Sequence, residues 1–110
     1  MKEISINGLV GGAVGYTDTK FAVRGMTKAA SLQLAPLGIR VNSVHPGIIE
    51  TIMVTEGDAV EMIKEYAKQV PLARMAQPGE VTSLVLYLAS DESSYSTGAE
   101  YVVDGGLTAM

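Results

Sequence analysis

The chain has 110 residues, the usual length of one domain, so we expect a single domain over residues 1–110. Hydrophobic residues make up 47% and charged residues 18%, which is too apolar and too weakly charged for a disordered chain. A net charge of −4 argues against nucleic-acid and anionic-membrane partners, and the absence of cysteine excludes disulfides. No signal peptide or run of about 20 apolar residues is present, so we expect a cytoplasmic protein.

The first half of the chain predicts strand, helix and strand in turn. A short strand over Glu3–Ile6 precedes a glycine-rich loop. Apolar residues at helical spacing predict a long helix from Tyr16 to about Leu34, which Pro36 and Gly38 end. Alternating β-branched residues then predict a strand over Ile39–Val44, followed by a turn at 45–47.

The second half predicts two helices and a last strand. Asp58 and Glu61 have capping spacing, and apolar residues follow on one face, which predicts a helix over about 59–70. Pro78 suits the first turn of a helix that reaches Ser90. A polar connection over 91–98 leads to a short strand over Tyr101–Val103. The alternation predicts an α/β fold with a parallel sheet of about three strands, a partial Rossmann-like sheet.

Tyr16 and Lys20 are the first candidates for chemistry. Four residues apart near the start of the long helix, they fall on one helical face. An ammonium beside a phenol favours the phenolate, and the positive end of the helix dipole acts in the same direction. The pair has the composition of a general acid/base, although a solvated amphipathic pair has the same spacing.

Six motifs surround that pair in a recognisable order. They are Ser5, Gly8–Gly11, Tyr16–Lys20, Ile39–Asn42, Pro46–Thr51 and Tyr101–Gly106. Together they resemble the carboxyl-terminal half of a short-chain dehydrogenase/reductase over essentially the whole chain. The stretches 21–28 and 93–98 resemble the subgroup that acts on secondary alcohols and hydroxysteroids.

The resemblance implies hydride transfer between NAD or NADP and a secondary alcohol or ketone. It makes Tyr16 the general acid/base, with Lys20 holding the nicotinamide ribose and lowering the tyrosine pKa, and Ser5 donating a hydrogen bond to the substrate oxygen. It places Lys20 and Tyr16 in the cofactor site with four residues after the second strand: Pro46, Gly47, Ile49 and Thr51. The stretch from Thr51 to about Pro71, which contains Met53 and Met62, corresponds to the family's substrate lid.

The sequence departs from the family pattern in three respects. Ser5 lies eleven residues before Tyr16 rather than thirteen, and Ile52 stands where a proline is common. The chain contains no G-x-G-x-x-G turn, no ribose-selecting residue beyond one and no counterpart of the family's catalytic asparagine. We therefore expect the amino-terminal dinucleotide-binding half to be absent, and the chain alone to be inactive and to bind neither NAD nor NADP with useful affinity.

Two other functions remain open. The chain would be a non-catalytic remnant that only self-associates, or a small-ligand binding module. In each case we expect a homo-oligomer of two or more chains, because the first strand would otherwise present an unpaired edge.

The remaining polar residues have simpler interpretations. The single histidine, His45, is interpreted as a turn residue after a strand, and no metal site is expected. Arg24, Lys28 and Arg40 are interpreted as surface charges rather than an anion pocket. Four tyrosines are expected in the core or at an interface: Tyr66, Tyr87, Tyr95 and Tyr101.

Overall fold

A computed structural model describes residues 2–3, 14–50 and 60–110, with side chains from Phe21 onward except Val23. Its helices and strands follow the predicted alternation. They are β1 (Lys2–Glu3), α1 (Val14–Leu34), β2 (Ser43–Pro46), α2 (Val60–Ala67), α3 (Pro78–Ala89) and β3 (Glu100–Val103). Single 3-10 turns at Ala35–Leu37, Asp91–Ser93 and Leu107–Ala109 complete the described elements.

The strands form a parallel sheet in the order β1-β2-β3. Ser43 pairs with Lys2 on one side and with Glu100 on the other, and the second pairing continues to Pro46 opposite Val103. Among the described residues, β2 is therefore the central strand. The predicted α/β class with a small parallel sheet is confirmed.

The predicted strand over Ile39–Val44 is misplaced towards the amino terminus. Its first part is held by loop contacts instead of the strand ladder: Val41 N donates to Thr97 Oγ1, and Asn42 Nδ2 donates to Ser96 O. The ladder continues instead to Pro46, because Gly47 N donates to Val103 O. All residues from 41 to 45 are buried, as expected for a central parallel strand covered on both faces.

The helix boundaries differ from the predictions by a few residues at most. The long helix begins at Val14 rather than Tyr16 and ends at Leu34, before Pro36 and a left-handed Gly38. The helix predicted over 59–70 ends earlier, at Ala67, where Gln69 N and Val70 N turn back to Tyr66 O and Ala67 O. Residues 4–6 of the first predicted strand and Asp58 lie outside the described residues.

The face of α1 that packs inward is polar, which the sequence analysis does not predict. Thr27 and Ser31 are buried, whereas the apolar residues that carried the helical period are exposed: Phe21, Met26 and Leu32. Small side chains are needed here because a Cβ on Gly98 would lie only 2.8 Å from Ser31 Oγ. The apolar core among the described residues lies instead around β2 and the two later helices, in Val41, Val44, Ala67, Val70 and Leu88.

Three tyrosines do not belong to the core. Tyr66, Tyr87 and Tyr95 are all exposed, and Tyr95 projects completely into solvent. Tyr101, on β3, is half-buried. Of the two positions expected for these tyrosines, the core is therefore wrong for the first three, because core packing on α2 and α3 is made by Ala67 and Leu88. A position at an interface stays a prediction for them.

Candidate functional site

The carboxyl ends of β2 and β3 meet in a close backbone contact. Gly47 follows β2, and its N–H donates to Val103 O at 2.9 Å. A Cβ at position 47 would lie 2.8 Å from the Asp104 Cα, a distance that real side chains do not adopt. The absence of a side chain at Gly47 therefore lets the predicted cofactor-binding turn lie against the end of β3.

Asp104 organises the turn on the other side of this contact. Its carboxylate accepts hydrogen bonds from the Gly106 and Thr108 N–H groups, both at 2.9 Å, and from Thr108 Oγ1 at 2.7 Å. Partial burial alone would raise the pKa of Asp104, but the hydrogen bonds from Thr108, Gly106 and Leu107 outweigh it and hold the pKa below its usual value. The carboxylate is thus a fixed acceptor for the turn.

The same turn supports the segment that follows α2. Gly105 and Gly106 have φ angles of +65° and +96°, and a Cβ on either would lie within 3 Å of Val70 or Pro71. Leu72 N donates to Gly105 O at 3.0 Å. The carboxyl-terminal turn therefore connects the end of β2 with the end of the predicted lid.

An apolar groove opens between the residues after β2 and helix α2. Its volume is about 410 Å³, and its lining residues are Gly47, Ile48, Ile49, Met62, Ile63 and Tyr66. A smaller cavity of about 200 Å³ lies behind Ile48, next to Val103 and Asp104. Its mostly apolar lining suits an apolar molecule. Backbone N–H and C=O groups at its edge would fix the orientation of that molecule by hydrogen bonds.

Backbone groups at Ile49 fit one end of the predicted cofactor. Ile49 forms a parallel bridge with Ala76, in which Ala76 N donates to Ile48 O and Glu50 N donates to Ala76 O. Since backbone direction alternates along a strand, the N–H and C=O of Ile49 itself point away from Ala76. One donor beside one acceptor matches a primary carboxamide, so these residues fit the carboxamide end of a nicotinamide.

Tyr16 and Lys20 lie in the first two turns of α1, at positions one helical turn apart. Further along the helix, Arg24 and Lys28 contact Glu100 and Gly98, where β3 begins. The beginning of α1 therefore extends towards the opposite edge of the sheet, where Gly47 and Asp104 lie. Ser5, Thr51 and Met53 lie outside the described residues.

His45 is not the turn residue that the sequence predicts. It lies within β2 and is completely buried, and its Nε2 is 2.8 Å from Ser43 Oγ. The prediction failed because Pro46, which ordinarily ends a strand, is the last paired residue of β2.

The three basic residues interpreted as surface charges are structural contacts. Arg24 binds Glu100, and Lys28 donates to Gly98 O at 3.2 Å. Arg40 donates to Ser93 Oγ at 2.7 Å and to the backbone carbonyl of Ser90 at 3.1 Å. They hold the connection between α3 and β3 against the rest of the chain, a role that only non-local contacts reveal.

Several residues at the candidate site are not predicted from the sequence. Ile48 and Ile63 line the groove, and Asp104 supports the turn beside Gly47. The available signal was Asp104-Gly105-Gly106 directly after a predicted strand, since the carboxyl ends of parallel strands share one edge.

Across the described residues, no group of three or more potential metal-ligating side chains is found. No helix in the described ranges is long and apolar enough to cross a membrane.

Comparison with known proteins decides the family. Residues 3–108 match the family model described as enoyl-(acyl carrier protein) reductase. The chain belongs to the short-chain dehydrogenase/reductase family. The resemblance found in the sequence is confirmed.

Curated relatives in this family include two dehydrogenases of cyclic alcohols and steroids. The 3-alpha-(or 20-beta)-hydroxysteroid dehydrogenase of Mycobacterium tuberculosis is 57% identical over 107 residues, which are 96% of this chain and 39% of that protein. The cyclopentanol dehydrogenase of Comamonas testosteroni is 52% identical over 108 residues, 96% of this chain and 43% of the relative. The chain spans about two fifths of the length of these dehydrogenases.

Solved structures of short-chain dehydrogenases give the same result. A short-chain type dehydrogenase/reductase from Mycobacterium marinum superposes with a TM-score of 0.86 at 41% identity, covering 98% of this chain and 43% of that one. A 4-hydroxyisoleucine dehydrogenase complexed with NADH superposes with a TM-score of 0.85 at 32% identity, covering 98% and 46%. The chain therefore has the fold of part of a dehydrogenase, a little under half of each solved structure.

Proposed function

We propose that this chain carries the acid/base and substrate-binding part of a nicotinamide-dependent dehydrogenase of secondary alcohols, ketones or hydroxysteroids. The observation that carries the proposal is the arrangement at one edge of the sheet. The Tyr16 and Lys20 positions begin the helix that extends towards this edge, and Gly47 and Ile49 follow the central strand there. The named activities of the M. tuberculosis and C. testosteroni relatives support this substrate class.

The roles of the chain's own groups follow from the proton that must leave the alcohol or return to the ketone oxygen. In alcohol oxidation, the Tyr16 phenolate accepts the hydroxyl proton, and in ketone reduction the phenol returns it to the oxygen. Lys20 keeps the tyrosine pKa low and binds the nicotinamide ribose, while Ser5 donates a hydrogen bond to the substrate oxygen. The carboxamide end of the cofactor is held by four residues at and after the end of the central strand: Pro46, Gly47, Ile49 and Thr51. The nicotinamide, when bound, would accept a hydride from the alcohol carbon in oxidation and return a hydride to the carbonyl carbon in reduction.

The groove between Ile49 and α2 is proposed as the substrate site. Ile48, Ile63 and Tyr66 offer apolar surface beside the carboxamide-binding backbone. A cyclic or steroidal carbon skeleton would bury its apolar surface there while its oxygen faces the acid/base groups. The segment 51–71 is then the lid that covers this site, with its far end seated on Gly105 and Gly106.

The cofactor fit is confined to the nicotinamide end. The 110 residues contain no glycine-rich turn suited to a pyrophosphate. We therefore propose that these 110 residues by themselves bind NAD or NADP too weakly for turnover, and that activity requires a dinucleotide-binding part in addition to them.

Self-association without catalysis is the second candidate function. Large apolar side chains are exposed on two helices, including Met26 and Leu32 on α1 and Leu86 on α3. Surface of this kind favours association between chains. On this proposal the chain forms dimers or larger oligomers and binds no cofactor.

A titration separates these two candidates. The purified chain is titrated with NADH and with NADPH by cofactor fluorescence, with its mass measured in the same buffer. Saturable micromolar binding would show that the associated chains rebuild a cofactor site and would contradict inactivity of the chain alone. An oligomer that binds nothing up to millimolar cofactor supports that inactivity.

A chimera then tests the acid/base assignment. Residues 3–108 replace the matching part of the M. marinum short-chain dehydrogenase, and oxidation of cyclopentanol or a hydroxysteroid is measured. We expect Tyr16→Phe to lower kcat by about 10²- to 10⁴-fold. The matched control is Tyr95→Phe, at a fully exposed position, which leaves kcat unchanged. An active chimera in which the Tyr16 variant equals its parent would contradict the proposed role.

A further inference from the structure

The inward face of α1 is tied to β3 by an ion pair in which both ends are largely shielded. Arg24 Nε and Nη2 donate to Glu100 Oε1 at 3.0 and 2.9 Å, and Nη2 also donates to Oε2 at 3.1 Å. The side chains of Arg24 and Glu100 are each only 21% exposed. Paired hydrogen bonds between a planar guanidinium and a carboxylate restrict orientation as well as distance.

Two neighbours on the same helix add to this link. Lys28 Nζ lies 3.7 Å from Glu100 Oε1 and donates to Gly98 O at 3.2 Å. The Arg24 guanidinium lies over the Phe21 ring, 4.9 Å from its centroid. One carboxylate on β3 therefore contacts two successive turns of α1, and its arginine partner also contacts the residue directly after Lys20.

The spacing connects this cluster to the candidate catalytic residues. Lys20 lies one turn before Arg24 and Tyr16 lies two turns before it, so all of them follow one stripe of α1. A helix rotates as a unit about its axis. At a side-chain radius of about 5–6 Å, a rotation of ~10° moves a side chain by ~1 Å. A displacement of that size is enough to cost about 10²-fold in rate.

We propose that Glu100 is a positioning residue: by holding Arg24 and Lys28, it sets the rotation of α1 at which Tyr16 and Lys20 face the reacting oxygen. This inference rests on the proposed function of Tyr16 and Lys20. In this role Glu100 touches neither substrate nor cofactor. It lies at the start of β3 and acts through the helix backbone.

The test first measures the rotation of α1 in the 110-residue chain, by NMR residual dipolar couplings of its backbone N–H groups. In a helix these couplings vary with the 3.6-residue period, so the phase of that variation reports the rotation of α1 relative to the sheet. If Glu100 positions the helix, Glu100→Gln shifts this phase by ~10° or more. In the dehydrogenase chimera the same variant then lowers kcat by about 10²-fold, because Tyr16 is displaced from the reacting oxygen.

An exchanged pair separates position from charge. Arg24→Glu/Glu100→Arg rebuilds the ion pair with its charges reversed, so we expect it to restore the rotation of α1 and part of kcat if position is what matters. This variant also gives the decision if Glu100→Gln does not fold. The matched control is Glu65→Gln/Lys68→Gln, which removes an exposed pair on and just after α2 and leaves the rotation of α1 unchanged.

The possible results distinguish this inference from the proposed function. If Tyr16→Phe lowers kcat in the chimera while Glu100→Gln changes neither the rotation of α1 nor kcat, positioning by Glu100 is overturned and the acid/base role stands. If Tyr16→Phe keeps the kcat of its parent, the acid/base role is overturned and this inference with it. A loss of kcat in both variants, together with a rotated α1 in Glu100→Gln, supports both.

Discussion

Ala73 has a backbone conformation that alanine rarely adopts. Its φ is +59°, and its N–H donates to Val70 O at 2.7 Å, closing the turn after α2. The left-handed region costs an ordinary residue about 1–2 kcal/mol. The residue therefore stores strain just after the proposed lid.

We expect Ala73→Gly to stabilise the chain. Glycine removes the left-handed penalty but adds about 0.4–1 kcal/mol of unfolded-state entropy, which leaves a gain of roughly 0.5–1 kcal/mol. Urea unfolding at fixed protein concentration measures it. The control is Ala29→Gly on the exposed face of α1, where glycine costs about 1 kcal/mol. Equal losses in both variants would contradict the strain at Ala73.

Glu80 gives the chain a specific response to acid. Its carboxylate accepts hydrogen bonds from Arg74 at 2.8 and 3.0 Å and from the Gln77 N–H at 2.9 Å. The Arg74 hydrogen bonds, followed by that of Gln77, lower the pKa of Glu80 from 4.5 to about 2. Because the folded-state pKa is the lower one, the stabilisation is complete above pH 4.5 and is lost as the pH falls towards 2.

Glu80→Gln therefore makes the stability of the chain depend less on pH below about pH 5. We expect the thermal midpoint of the unsubstituted chain to exceed that of the variant near pH 6, and the difference to shrink between pH 5 and pH 2. Thermal unfolding across that range measures it, with the exposed Glu61→Gln on α2 as control. A difference that does not change with pH would assign Glu80 a role independent of its charge.

At the scale of elements, the close contact between the ends of β2 and β3 requires a glycine at position 47. We expect Gly47→Ala to destabilise the chain by about 1–3 kcal/mol, because the new Cβ would lie 2.8 Å from the Asp104 backbone. The control is Gly25→Ala within α1, where nothing lies within 4 Å and alanine gains up to about 1 kcal/mol. Urea unfolding compares the two. A Gly47 variant as stable as its parent would show that the strand ends separate easily.

For helix α1, the spacing of apolar residues predicts the limits of the helix but not the face that packs inward. Its limits are predictable within two residues, since Pro36 and Gly38 act locally. Its inward face is not, because Ser31 faces the close approach of Gly98, which lies 67 positions later in the chain. Apolar spacing identifies a helix correctly here while indicating the wrong face.

At the scale of the whole molecule, exposed apolar surface favours association. Leu32 is 78% exposed and Leu86 is 64% exposed, on two different helices. We expect a sedimentation coefficient that rises with concentration in the micromolar range and falls in Leu32→Glu or Leu86→Glu. Gln33→Glu, next to Leu32 and also exposed, adds a negative charge without removing apolar surface. A monomer across the whole range would contradict self-association of this chain.

The sequence alone was sufficient for the family, the α/β alternation and the one-turn spacing of Tyr16 and Lys20. Each of these depends on residue order or on local steric rules for proline, glycine and helical period. Tertiary structure decided that His45 is buried within the central strand, that Arg24 and Lys28 bind Glu100, and that Ile49 shares a groove with Ile63. These outcomes depend on which distant segments pair, and burial is set by that pairing rather than by the residue type.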